Sequence, residues 1–363
     1  EEVMYSLTMG TMGGLIFGPL IGICIDRYSV RLLMTLGCLV SAALLYAVSN
    51  TQSVLAFNLT FGLSMSLCMG TMSSMTGSAV VARWFTVSRG KALGIAAMGT
   101  SLGGVIVPAL LTWWVESSGW RGALENMSLL ILVLATPVIW LNIRNRPQDL
   151  GLHADGIVEP NVEAGAGAAN ALGMGDIVRM RSFWLIGLSM GMVFAAFSSM
   201  LANLSPYAAR LGTGEAAIST MIAVLSIAGL VGKLVFGTAA DRINLKYGLW
   251  SAHILLLIAF SILLLEPPYW LLLVASACFG LSTGGLLPVW NAMIARVFGV
   301  DSFGRTMGAM GPLITICIMP GFAVTGRLFD STGSYSAGLW LFGGAICIAA
   351  ALLVPLRLPD QPR

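Results

Sequence analysis

Lys233 is the residue of this chain whose type and setting point most directly to chemistry. It lies in GLVGKLVFGTAADR, residues 229–242, inside an apolar run covering residues 216–240. Eleven long apolar runs occur, and Lys233 is the only Asp, Glu, Lys or Arg inside any of them. A charge at membrane depth costs at least a few kcal/mol on insertion scales, so it usually faces a cavity and has a task. Two readings of Lys233 stand side by side. It lies eight residues before Asp241, about 12 Å along a helix, and its stem can carry the ammonium towards the headgroups. Alternatively it binds an anion. Its depth within the run favours the second reading. So do Gly229, Gly232 and Gly237, which suit close packing against neighbouring helices.

Other chemistry is hard to find. There is no phosphate loop, no paired acid in a pocket and no nucleophile with a base, so no catalytic residue is assigned and no enzyme is expected. An ATP-driven pump is excluded on this chain alone. The six cysteines, Cys24, Cys38, Cys68, Cys278, Cys317 and Cys347, fall singly in apolar runs, as small hydrophobic residues of packed helices. They imply no disulfide framework and no metal site. His153 and His253 are too few for a metal cluster. GTSLGG, residues 99–104, follows no strand and lies within an apolar run, so it is no dinucleotide loop. No cofactor and no nucleic-acid partner is implied.

The elements that must position Lys233 follow from composition. Of 363 residues, 57% are hydrophobic and 10% charged, where a soluble domain carries about 25% charged residues. The chain is therefore an all-α, polytopic membrane protein whose partner is the bilayer. Runs long enough to span it cover residues 3–25, 32–49, 54–82, 92–115 and 127–143 before a polar break. After the break come 182–209, 216–240, 247–265, 267–295, 306–326 and 331–356. Barrel-like alternation is absent, which leaves helices. The break, 144–181, contains RNRPQDLGL and then the low-complexity stretch EPNVEAGAGAANALGMG, which reads as a flexible linker. Residues 176–181 suit a short interfacial helix. The expected domains are thus 1–143, the linker 144–181, and 182–363.

Fifteen Lys and Arg residues fall on one side of these runs and three, Arg121, Arg210 and Arg327, on the other. The fifteen-residue side is expected to be cytoplasmic, with the linker and the C-terminus on it. The chain also repeats itself. GICIDRYSVRLLM (22–34) matches GTAADRINLKYGL (237–249), RWFTVSRGKALG (83–94) matches RVFGVDSFGRTMG (296–308), and ESSGWR (116–121) matches DSTGSY (330–335). The offsets are all about 214 residues. They predict two parallel repeats about an axis along the membrane normal. Five runs precede the linker and six follow it, so twelve helices are expected in all, with the first lying upstream of Glu1. In that count residues 3–25 form the second helix and Lys233 sits on the eighth.

The signature Gly22-x-x-x-Asp26-Arg27-Tyr28-Ser29-x-Arg31, echoed at 237–246, resembles that of the major facilitator superfamily. The resemblance covers essentially the whole chain. It implies a fold of two six-helix parallel repeats that rock around a central site. ARWFTVSRGKALGIAAMGTSLGGVIVPAL (82–110), RPQDLGL (146–152) and the stretch 303–335 are similar to the monocarboxylate transporter and oxalate–formate antiporter branch. Members of that branch carry a cation on the eighth helix that contacts the substrate carboxylate, and Lys233 falls there. An arginine is common at that place. Some members have an acid one turn earlier, linked to proton coupling, where this chain has Gly229. Oxalate-type members have a second cation in mid-helix eleven, near Ile314 here. A single cation fits a monoanion better than a dianion.

The resemblance implies gating by Asp26, Arg27, Arg31, Asp241 and Arg242. Asp26 is expected against the helix start near Gly304-Arg305, and Asp241 near Gly90-Lys91. Asp26, Arg27 and Arg31 are expected on a loop. Gly94, Gly99, Gly103, Gly104 and Pro108 form a small-residue stripe suited to close helix approach. Phe194 and Phe197 are candidate lining residues beside Lys233. Trp290 and Asn291 are placed towards the cytoplasmic end of their run, and His253 is expected to be structural. The expected function is secondary transport of a small organic anion, a monocarboxylate, by proton symport or anion exchange. The expected setting is a bacterial-type inner or plasma membrane, with the protein as a monomer. The competing readings are efflux of hydrophobic or drug-like compounds and a transporter-like sensor that binds without translocating.

Overall fold

The computed structural model describes residues 4–156 and 171–358. Thirteen α-helices carry them. The first five are α1 (Met4–Arg27), α2 (Val30–Ser49), α3 (Val54–Thr71), α4 (Ser74–Trp84) and α5 (Arg89–Leu130). A π-helical turn at Ile131–Ala135 leads into α6 (Thr136–Asn142). Short 3₁₀ turns at Pro147–Leu150 and Ala154–Gly156 follow. Then come α7 (Met174–Arg179), α8 (Arg181–Arg210), α9 (Glu215–Ala240), α10 (Leu245–Leu264), α11 (Tyr269–Phe298), α12 (Phe303–Thr332) and α13 (Ser336–Leu352).

Among the described residues, eight helical segments are long and apolar enough to cross a membrane. Nine of the eleven apolar runs fall in them, because 92–115 and 127–143 share the segment Arg89–Asn142. The other two runs form α1 and the shorter, 17-residue α13.

Three boundaries differ from the sequence expectation. The run 54–82 breaks into α3 and α4 at Ser73, whose hydroxyl accepts from the Met75 N–H at 3.2 Å. That bond competes with the helical ladder and restarts the helix. Asp26 and Arg27 lie in the last turn of α1, not on a loop, and Arg31 lies in the first turn of α2. The connection is Tyr28-Ser29 alone, with the Ser29 hydroxyl capping Leu32 N–H. Residues 171–173 of the low-complexity linker lead into α7, where Ile177 is fully buried. The part of it covering 159–170 lies outside the described residues. The repeat reaches backbone detail: Gly119 inside α5 and Gly333 after α12 occupy corresponding positions. Both take positive φ, at 73° and 65°, a region that glycine enters without a Cβ penalty.

The described chain packs as two compact units. The first comprises Glu1–Thr86, Leu102–Met174 and Phe298–Pro312. Within it α1 meets α3 through Gly10, whose carbonyl accepts from the Ser66 hydroxyl at 3.1 Å. α1 also crosses the start of α12. There a Cβ on Gly22 would collide with the Gly304 carbonyl, and Gly308 presents its bare Cα beside it. Asn145 fastens the polar linker to this unit: its Oδ1 accepts from Arg31 N–H at 3.1 Å and its Nδ2 donates to the Ser29 hydroxyl at 2.9 Å.

The second unit comprises Val87–Ser101, Gly175–Val297 and Leu313–Arg363. Here α9 crosses the start of α5. A Cβ on Gly237 would meet the Gly90 carbonyl and the Gly94 Cα, both under 3.0 Å. This crossing duplicates the one in the first unit at the repeat offset: Gly22 corresponds to Gly237, Gly304 to Gly90 and Gly308 to Gly94. α9 also packs on α11, where Cβ atoms at Gly280 and Gly284 would strike the Leu225 and Gly229 carbonyls. Close backbone approach of this kind is how helices associate in lipid. His253 is fully buried. Its Nδ1 lies 2.5 Å from the Leu249 carbonyl and its Nε2 3.4 Å from the Ser189 hydroxyl, which itself donates to the Ala349 carbonyl. It ties α8, α10 and α13 together, the structural role expected of it.

Candidate functional site

The site is built on the α5–α9 crossing of the second unit. Gly237 of α9 lies at Gly90 and Gly94, and one turn earlier the Lys233 carbonyl lies at Gly94. The two helices therefore run antiparallel. Side chains on a helix tilt towards its N-terminus, so the Lys233 stem runs up α5, away from Gly90. Its ammonium donates to the Thr100 hydroxyl at 2.7 Å and to the Ser101 hydroxyl at 2.6 Å. Asp241 caps the opposite end of the crossing, at Gly90. The ammonium thus points away from the end to which snorkelling would carry it. Lys233 is buried, at 8% exposure, while Thr100 is exposed and Ser101 half-buried. Among the described residues no carboxylate pairs with Lys233. Gly229, one turn earlier, supplies none; a Cβ there would face the Gly280 carbonyl at 3.5 Å.

Both expected contacts of a carboxylate with a helix start are present. Asp241 accepts from the backbone N–H of Gly90 at 2.5 Å and of Lys91 at 2.9 Å. Asp26 accepts from the N–H of Gly304 and of Arg305, both at 2.8 Å. Each carboxylate caps the positive end of a helix with charge-assisted hydrogen bonds. The two latches are not equal. The Asp26 side chain is fully buried and has two guanidinium neighbours, Arg83 at 3.9 Å and Arg305 at 3.7 Å.

The remaining expected gating residues stand differently. Arg27 and Arg242 are exposed. Arg31 lies over the Trp140 ring at 3.7 Å. The small-residue stripe of α5 is also narrower than expected: Gly94 is in close approach, whereas Cβ atoms at Gly99, Gly103 and Gly104 would meet nothing within 4 Å among the described residues.

The aromatic candidates belong to another pair of helices. Phe194 of α8 meets Trp290 edge-on at 5.9 Å, and Phe197 lies 5.2 Å from Phe279. Their ring contacts are with α11, while the hydrogen bonds of Lys233 are with α5. The indole N–H of Trp290 is buried and has no acceptor among the described residues.

Several site residues escaped the sequence reading. Thr100 and Ser101 are hydroxyls inside an apolar helix, where such groups commonly bond their own backbone; Thr100 does so as well, donating to the Ala97 carbonyl at 2.8 Å. Arg83 gave a usable signal, because it opens the repeated 83–94 motif. The linker joins the Asp26 latch too: Arg305 donates to the Leu172 carbonyl, and Leu172 N–H to the Ser302 hydroxyl, both at 2.8 Å.

The Major Facilitator Superfamily model matches residues 1–212 and 183–363, which together span the chain. Among curated proteins, the Fujikurins efflux protein of Gibberella fujikuroi is 25% identical, covering 93% of this chain and 69% of its own length. Human Monocarboxylate transporter 12 is 23% identical, covering 92% of this chain and 67% of its own. Among solved structures, the human organic anion transporter MFSD10 (TETRAN) superposes with a TM-score of 0.73 at 18% identity, covering 97% of this chain and 83% of that one. The proton:xylose symporter XylE bound to 6-bromo-6-deoxy-D-glucose superposes with a TM-score of 0.72 at 14% identity, covering 96% and 84%. At these identities the structural matches establish the fold alone. With the family model spanning both repeats and the duplicated helix crossings of that fold in place, this chain is a multi-pass membrane protein and belongs to the Major Facilitator Superfamily.

Proposed function

We propose that this transporter carries a small organic monoanion whose carboxylate binds at Lys233. One observation carries the reading. Lys233 is a buried cation of a membrane-spanning helix, held by two neutral hydroxyls and paired with no carboxylate among the described residues. An anion arriving there supplies the missing counter-charge. The name of the human relative, a monocarboxylate transporter, supports the same class. In this reading the repeats, 1–143 and 182–363, rock about the site. The Arg-rich end is cytoplasmic, and the Asp26 and Asp241 latches hold that side closed.

The test is uptake of labelled acetate, pyruvate and benzoate by liposomes carrying the purified protein. Lys233→Gln should abolish uptake while the protein still reaches the membrane. Removing one partner of a desolvated ion pair costs a few kcal/mol, on the order of a hundredfold or more in affinity. Lys233→Arg should keep part of the activity with altered preference among the three acids, because guanidinium presents a planar fork where ammonium is a point charge. Unchanged uptake by Lys233→Gln overturns the reading.

A second reading is efflux of a hydrophobic compound, with Lys233 as a structural charge. It is favoured by the fungal relatives named as efflux proteins of Fujikurins and Agnestins. It expects Lys233→Gln to lose stability and to keep export of a hydrophobic dye from preloaded vesicles.

A further inference from the structure

Counting hydrogens at the lysine assigns the rest of the carboxylate site. An ammonium has three N–H donors and no acceptor, and a hydroxyl has one O–H donor. Two of the Lys233 donors go to Thr100 Oγ1 and Ser101 Oγ. The Thr100 hydroxyl spends its own hydrogen on the Ala97 carbonyl at 2.8 Å. The Ser101 hydroxyl accepts from Lys233, and its hydrogen is donated to no acceptor among the described residues. Two donors therefore stay free on one cluster: the third N–H of Lys233 and the O–H of Ser101. Their heavy atoms lie 2.6 Å apart.

We infer that Ser101 is a substrate-contacting, specificity-determining residue, which donates its hydroxyl hydrogen to one carboxylate oxygen while Lys233 donates to the other. Thr100 has no hydrogen to give and acts as a positioning residue that holds the ammonium. The inference rests on the proposal that an anion binds at Lys233, and it narrows the class of that anion. Two donors match the two oxygens of one carboxylate. A dianion, whose second acidic group needs donors of its own, is left undersupplied, and a carboxylic ester or amide brings no charge to Lys233.

The experiment is concentration-dependent uptake of labelled pyruvate, acetate and benzoate into liposomes by the unmutated protein and four variants, reading KM and the maximal rate separately. A hydrogen bond to a charged group is worth about 1.5–3 kcal/mol, or roughly ten- to a hundredfold in affinity. Ser101→Ala should raise KM for all three acids by at least tenfold with the maximal rate held within a few-fold. Ser101→Thr, which keeps a hydroxyl, should restore KM to within a few-fold. Thr100→Val should raise KM several-fold less than Ser101→Ala, because it removes a holder of the lysine and no donor to the substrate.

Lys233→Gln separates the possible failures. If Lys233→Gln abolishes uptake and Ser101→Ala keeps the wild-type KM, the assignment of Ser101 falls and the anion reading stands. If Ser101→Ala lowers only the maximal rate, or if Thr fails to rescue, Ser101 is structural and the assignment is again overturned. If Lys233→Gln transports all three acids normally, or the unmutated protein transports none, the anion reading itself falls and takes the assignment with it.

Discussion

Asp26 and Arg305 meet twice. The Arg305 backbone N–H donates to Asp26 Oδ2 at 2.8 Å, and the Arg305 guanidinium Nε stands 3.7 Å from the same oxygen. Asp241, its counterpart in the repeat, makes the two backbone bonds and no ion pair among the described residues. Asp26→Asn should therefore disturb transport more than Asp241→Asn. It removes the charge from a fully buried side chain and leaves Arg83 and Arg305 without their counter-ion. Both variants should slow the maximal rate of uptake more than they raise KM, because the proposed role of each carboxylate is to bias states and not to touch the substrate. We expect at least a tenfold loss of rate for Asp26→Asn and a few-fold loss for Asp241→Asn. Equal effects, or an effect on KM alone, would contradict this.

A second prediction compares two glycines of α5. A Cβ at Gly94 would collide with the Lys233 carbonyl, whereas one at Gly103 would meet nothing within 4 Å among the described residues. Gly94→Ala should lower stability by about 1–3 kcal/mol through overpacking, seen as a drop in Tm of several degrees. Gly103→Ala should be neutral or stabilising by up to about 1 kcal/mol from helix propensity. The check is the melting temperature of each variant in one detergent.

His253 offers a third. It is fully buried and bonded to Leu249 and Ser189, so its contribution is to packing. His253→Leu should cost about 1 kcal/mol, in line with polar contacts between membrane helices, and should leave the KM for a transported acid unchanged. A rise in KM of tenfold would move His253 into the transport pathway.

The fourth concerns orientation and rests on the fifteen-to-three division of Lys and Arg. In a background without native cysteines, Cys introduced at the exposed positions Gln52 or Pro268 should react with an impermeant maleimide added outside intact cells. Cys at Gln148 should react only after the cells are opened. The reverse pattern would invert the proposed topology.

The helices were legible because apolar length is a bulk property, and every run of the sequence became helical, although one split in two and two others share a segment. The contacts of the two carboxylates with helix starts were legible for a different reason. Asp26 and Asp241 mark each other through the repeat, and a helix start rich in glycine invites a carboxylate. Less could be read where two conformations compete locally. Ser73 breaks one run by capping, and nothing distinguishes it beforehand from a hydroxyl bonded to its own helix. The same ambiguity hid Thr100 and Ser101, whose partner is 133 and 132 residues away in the chain. Lys233 itself was conspicuous, yet only the antiparallel crossing of α5 and α9 decides which way its ammonium points.

The backbone of Lys233 is the fulcrum of the α5–α9 crossing, since its carbonyl fills the space that Gly94 leaves open. The side chain of the same residue carries the charge. In the proposed function, ligand sensing and leverage therefore fall to one amino acid. Any tilt of α9 on α5 displaces the ammonium from its hydroxyls, and any anion that captures the ammonium changes the torque on the crossing. By reciprocity the two effects are equal in free energy. The proposed coupling of binding to rocking then needs no relay residues, because the distance to be bridged is the length of one lysine.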